Sequence, residues 1–173
     1  GINGAAFHAL WALKGLGALV PQSSAYAAAM LGLEHPAAGV RKAALMILPR
    51  DAVTAETLVA KNLLRDPDLH TRLAAVLAAA EMPQSKDLGA ALYKESQNPE
   101  NFRDRWLSRA FYIAATHHKS AFLSLYRADP NALSVGDLPV PLRLGATKPD
   151  WRVPAAEELG AWGEMEVPGN WET

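Results

Sequence analysis

Cysteine is absent from the 173 residues, which excludes disulfides, thiolate metal sites, a cysteine nucleophile and c-type haem attachment within this chain. No apolar run approaches the roughly 18–20 residues that a membrane-crossing helix needs. The N-terminus lacks the basic and apolar regions of a signal peptide. Charge of neither sign dominates: 17 Lys and Arg stand against 18 Asp and Glu. The balance is uneven along the chain, with 14 against 11 in residues 1–129 and 3 against 7 in residues 130–173. Neither part has the basic excess expected of a nucleic-acid binder. A phosphate-binding glycine loop is missing, Ser23-Ser24 has no glycine-flanked elbow, and Gly15-Leu16-Gly17 is too weak a pattern to count. The chain opens on Gly1 and not on Met, from which we expect a natural protein that extends further.

Half of the residues are apolar, enough for one core of ordinary size with an appendage. The unit around which the chain is organised runs from Asp66 to Pro83, DPDLHTRLAAVLAAAEMP. Asp66 is expected to cap a helix with Pro67 at its first position. Leu69, Leu73, Val76, Leu77 and Ala80 recur with helical spacing as the inner face, and alanines occupy the flanks. Such a helix can be approached closely from several sides. Further helices are expected over Asn3–Leu19, Ser24–Leu33, Pro36–Leu48, from Asp51 or Thr54 to Leu64, Ser85–Ser96, Asn98–His117 and Ser120–Arg127.

These helices pair, and the pairs repeat. Pro36, Pro67 and Pro99 lie 31 and 32 residues apart, and Arg41, Arg72 and Arg105 lie 31 and 33 apart. A period of about 30–40 residues built of two short helices is the mark of an α-solenoid, in which each unit buries its apolar faces by stacking on the next. The expected fold is therefore all-α: an α-solenoid of about four helical hairpins over residues 1–129, followed by a proline- and glycine-rich tail over 130–173.

On these residues the chain resembles the HEAT-like helical repeat family, in particular its short bacterial, PBS-lyase-type form, over about residues 3–127. Asp66 and Arg72 match the family's acid, proline and following arginine; His35 and Arg41 keep the spacing without the acid. The last unit departs, because Asn98 to Arg105 is one residue longer and aromatics replace alanines. The first unit lacks the arginine.

Six of the 12 prolines and five of the 12 glycines fall in residues 130–173, which forbids long helices there. Residues 137–144, DLPVPLRL, suggest extended chain, and residues 164–167, EMEV, alternate like a strand. The run WGEMEVPGNWE at 162–172 resembles the opening of the sugar-binding domain that begins family 2 glycoside hydrolases. That resemblance implies the truncated start of a following β domain and no sugar site within this chain.

Arg41, Asp66 and Arg72 are expected to be structural, the arginines bonding helix-end acids or carbonyls of neighbouring units. Leu73, Leu77 and Trp106 are assigned to the core. Arg103, Arg105 and Arg109 with Tyr112 form the densest cationic and aromatic cluster, and positions 105, 109 and 112 share a helical face. They are the candidate binding residues for a phosphate, carboxylate or partner peptide. His117-His118 has no metal-ligand spacing and reads as a frayed helix end. The paired acids Asp66/Asp68 and Glu157/Glu158 read as caps and solvated charge. No catalytic residue, metal or cofactor is expected.

The functional expectation is a non-catalytic protein-interaction or spacer module. The resemblances imply a piece of a larger multidomain bacterial protein, periplasmic or secreted, connected with sugar or redox chemistry and reaching carbohydrate only through a downstream domain. Its partner would be a protein or a neighbouring domain of the same chain, with no membrane. The rivals are a DNA-binding repair enzyme of the HEAT-like alkylpurine glycosylase type and part of a carbohydrate-binding or glycoside hydrolase protein.

Overall fold

The computed structural model describes residues 3–129; the expectations for residues 130–173 lie outside them. The described residues are all-helical, with no β-strand among them. The α-helices are α1 (Gly4–Gly15), α2 (Ser24–Leu31), α3 (Ala38–Ile47), α4 (Ala52–Ala60), α5 (Leu69–Glu81), α6 (Lys86–Ser96), α7 (Arg105–His117) and α8 (Lys119–Ala128). Single 3-10 turns at Gly32–Glu34, Leu63–Arg65 and Pro99–Phe102 lead from α2, α4 and α6 into the next helix.

Side chains cap most of these helices. Asn3, Ser23, Asp51, Asp68, Ser85 and Asp104 each accept from an amide of the following first turn, each worth about 1 kcal/mol. The caps of α5 and α7 correct the sequence reading, which put Asp66-Pro67 and Asn98-Pro99 at helix starts. The residue before a proline is held out of the helical region, so the chain first makes a tight turn. His35 Nδ1 accepts from Ala37 N at 3.0 Å, Asp66 Oδ1 from Asp68 N at 2.9 Å and Asn98 Oδ1 from Glu100 N at 3.1 Å. These side chains close turns of the Asx kind, and the helices begin later, behind Ala37, Asp68 and Asp104. Two further ends are earlier than expected. α1 stops at Gly15, before Gly17 at φ 66°, and α4 stops at Ala60, before the left-handed Asn62 at φ 55°.

The odd-numbered helices contact one another in succession, α1 with α3, α3 with α5 and α5 with α7. In the other row α4 contacts α6 and α6 contacts α8, while the Tyr26 hydroxyl joins α2 to α4 through the Asp51 carboxylate and Thr54 Oγ1. The core lies between the rows and includes Leu33, Leu45, Leu58, Leu64, Leu88, Leu92, Leu107 and Phe111.

Within the odd row the helices run in one sense. Thr71 Oγ1 of α5 donates to Ala38 O of α3 at 3.1 Å, tying first turn to first turn. At the other end Lys14 reaches Met46 O at 3.2 Å, and Arg50, just past α3, pairs with Glu81 of α5 at 2.7 Å. Arg50 also donates to Leu45 O and Leu48 O, satisfying carbonyls at the end of α3.

α5 is covered on both flanks, and alanine does the covering. Its buried residues are Thr71, Arg72, Ala75, Val76, Ala78 and Ala79, whereas Leu69 and Leu77 are exposed and Leu73 is half-buried. The sequence reading had the leucines inside. Small residues let α3 and α7 approach from both sides; Leu73 still packs against the core, as expected, while Leu69 and Leu77 are left pointing away. Trp106, also assigned to the core, is 61% exposed, because it is the second residue of α7, the position at which Gly39 of α3 and His70 of α5 are exposed too.

His117 and His118 do not mark a frayed end. His118 is buried; its Nε2 donates to Ala79 O at 2.8 Å while its Nδ1 accepts from Ser85 N at 3.2 Å. His117 Nε2 is 2.8 Å from Met82 O. The pair fastens the end of α7 to the end of α5 and to the connection entering α6.

Candidate functional site

Arg41 and Arg72 are absorbed by the scaffold. Arg41 holds the Asp66 carboxylate with Nε at 2.7 Å and Nη2 at 2.8 Å, while its Nη1 donates to His35 O and Pro36 O. That carboxylate, with help from Asp68, raises the Arg41 pKa further. Arg72 repeats the scheme one unit on: Nε donates to Asp66 O at 2.9 Å, and Nη1 to Glu100 Oε2 at 2.8 Å and Asn101 Oδ1 at 2.7 Å. The guanidinium in turn holds Glu100 below the usual carboxylate range. Arg105 does not continue this series. Arg41 and Arg72 are the fourth residues of α3 and α5, and the fourth residue of α7 is the buried Ser108. The one-residue lengthening between Asn98 and Arg105, together with the 3-10 turn, shifts the arginine to the first position of its helix.

Arg103, Arg105 and Arg109 are all exposed, with the Arg105 guanidinium 5.1 Å from the centre of the Trp106 ring. Tyr112 does not stand with them. It is the eighth residue of α7, the place filled by Leu45 in α3 and Val76 in α5, and it is half-buried, with burial raising its pKa.

The position after Tyr112 is the one that the sequence reading missed. Met46, Leu77 and Ile113 are each the ninth residue of their helices, and they are 44%, 44% and 53% exposed. The second, fifth and ninth positions lie on one side of a helix. Across α3, α5 and α7 they present Gly39, Lys42 and Met46, then His70, Leu73 and Leu77, then Trp106, Arg109 and Ile113. Because the three helices pack in succession and run in one sense, an apolar row crosses them at one level. Lys42 and Arg109 stand beside the row, with Trp106 and Arg105 at the far corner. The signal was present in the sequence as a recurrence across units, at intervals of 31 and 36 residues, but the irregular spacing conceals it until the helix starts are known.

Chemically, this face offers large apolar side chains for desolvation and cationic groups that can pair with carboxylates or phosphates. Among the described residues no group of three or more His, Cys, Asp or Glu is placed to hold a metal ion, and no helix is long and apolar enough to cross a membrane. No family model, curated protein or solved structure matches the chain.

Proposed function

We propose that the chain is a HEAT-like α-solenoid of about four hairpins, α1/α2, α3/α4, α5/α6 and α7/α8. It acts as a non-catalytic interaction or scaffold module within a larger multidomain protein. The repeating contacts within each row and the recurring Arg41 and Arg72 links support the repeat reading. The observation that carries the functional reading is the exposed row Met46, Leu77 and Ile113 at one level of three successive helices. Isolated surface leucines need no explanation, but an aligned row rimmed by cations has the make-up of a docking face. The partner is a protein, or a neighbouring domain of the same chain, with an apolar ridge and carboxylates opposite Lys42, Arg105 and Arg109.

The DNA-binding alternative draws on the exposed Arg103, Arg105 and Arg109. Against it, Arg41, Arg50, Lys61 and Arg72 are engaged in ion pairs within the fold. Polyanion binding requires neutralising many phosphates.

A photo-crosslinking amino acid placed at Ile113, and as a control at the exposed Ser124 of α8, tests the proposal in cells that express the natural protein. Polypeptide adducts at position 113 that are absent at 124, and lost on adding Leu77→Glu, are expected. Equal adducts at both positions would defeat the docking face, and salt-dependent DNA retardation in a gel shift would replace it with the nucleic-acid reading.

A further inference from the structure

In the row of even-numbered helices, α4 and α6 flank a groove of about 340 Å³ whose lining includes Leu58, Leu64 and Ala91, with Asp87, Lys94 and Glu95 among its polar residues. Glu95 is 3% exposed, and its Oε2 is shielded from solvent without a hydrogen-bond partner among the described residues. None of the ion pairs among the described residues involves it, that is, not even the adjacent Lys94. The rest of Glu95 is firmly held. Its carbonyl accepts from Asn101 Nδ2 at 2.9 Å and from Asn98 N at 3.1 Å, and Asn101 is itself fixed by Arg72. A carboxylate withdrawn from water calls for a counter-charge or donors, and the described residues supply neither to Oε2.

We propose that this groove binds a primary ammonium carried on an alkyl stem of about four carbons, the dimensions of a lysine side chain. The ammonium donates to the Glu95 carboxylate, the stem lies along Leu58, Leu64 and Ala91, and Asp87 offsets the positive charge of Lys94 in the lining. With Oε2 shielded, the carboxylate presents at most one oxygen to the groove, which suits a compact ammonium better than a planar guanidinium, best held by both carboxylate oxygens. The site lies in the other helix row from the Met46, Leu77 and Ile113 face and does not depend on it. A lysine of a partner polypeptide and a free alkylamine share this chemistry.

Methyl NMR on the 173-residue chain tests it, with n-butylammonium, a capped lysine (Nα-acetyl-lysine methylamide) and neutral n-butanol as probes. Saturable shifts of the Leu58, Leu64 and Ala91 methyls are expected with at least one ammonium probe, with n-butanol at least about tenfold weaker, as expected for a charge-assisted hydrogen bond. Glu95→Gln should weaken the ammonium probe by a similar factor. Tighter binding of the capped lysine assigns the site to a polypeptide, and tighter binding of n-butylammonium assigns it to a free amine. Absence of saturable shifts, n-butanol equal to n-butylammonium, or an unchanged affinity in Glu95→Gln would overturn the proposal. Should Glu95→Gln fail to fold, the comparison of n-butanol with n-butylammonium on the unaltered chain decides.

Discussion

Arg41 and Asp66, 25 residues apart in sequence, meet through both carboxylate oxygens at 2.7 and 2.8 Å, with the acid side chain 3% exposed and the arginine 14%. Replacing Asp66 by alanine leaves a largely buried guanidinium without its counter-charge. It also removes the acceptor that closes the turn at Asp68. We expect a loss of about 3 kcal/mol by urea denaturation; a loss below about 1 kcal/mol would mean that solvent replaces the pair.

Val76 and Leu77 are sequence neighbours with opposite fates. Val76 is fully buried and Leu77 is 44% exposed. Val76→Ala is expected to cost about 2 kcal/mol and Leu77→Ala less than about 1 kcal/mol. The reverse order in thermal or chemical denaturation would restore the leucine face as the inner one.

Gly89 sits at a close approach of α6 to α8. A Cβ built there lies 2.5 Å from Ala121 Cβ and 3.2 Å from His118 O and Phe122 N. Helix propensity favours alanine by about 1 kcal/mol, but overpacking of this kind costs about 1–3 kcal/mol. Gly89→Ala should therefore destabilise. Gly39→Ala, in α3 with nothing within 4 Å of the added carbon, should be neutral or stabilising, and a matched gain at both sites would contradict the close approach.

Burial lowers the His118 pKa below its ordinary 6.5, outweighing the bond to Ala79 O, and His117 adds to the lowering. The unfolded chain takes up this proton first as the medium acidifies. The contribution of neutral His118 to stability is thus intact above about pH 6.5 and is lost as pH falls through the folded value, with a slope of up to about 1.4 kcal/mol per pH unit. The lowered pKa of Asp68, set chiefly by its bond from Thr71 N, acts in the same direction but only below about pH 4. Urea denaturation between pH 7.5 and 5 should give the slope, and His118→Gln should flatten it. An unchanged slope in that variant would assign the titration elsewhere.

The helical character of the described residues was legible from apolar spacing and from proline and capping residues. The helix starts were misplaced because X-Pro sequences suit a capped helix and an Asx-type turn equally well. Only the amide two residues on, which each of His35, Asp66 and Asn98 accepts from, tells them apart. Which face of α5 points inward was illegible for a different reason. Periodicity locates the leucines on one side, but whether that side is covered depends on the neighbours, and here the alanine flanks made the tighter contacts. Of the candidate binding residues, exposure of Arg103, Arg105 and Arg109 follows from their charge. The half-buried setting of Tyr112 and the row through Met46, Leu77 and Ile113 needed the positions counted from each true helix start.

Asp66 has two grips of different kinds: its carboxylate is held by Arg41 and its carbonyl by Arg72. Losing that one turn would slacken the lines to both neighbours at once. Amide protons on either side of it should therefore exchange with solvent as a correlated group, and a load applied at the two ends of residues 3–129 should be resisted until this joint gives way.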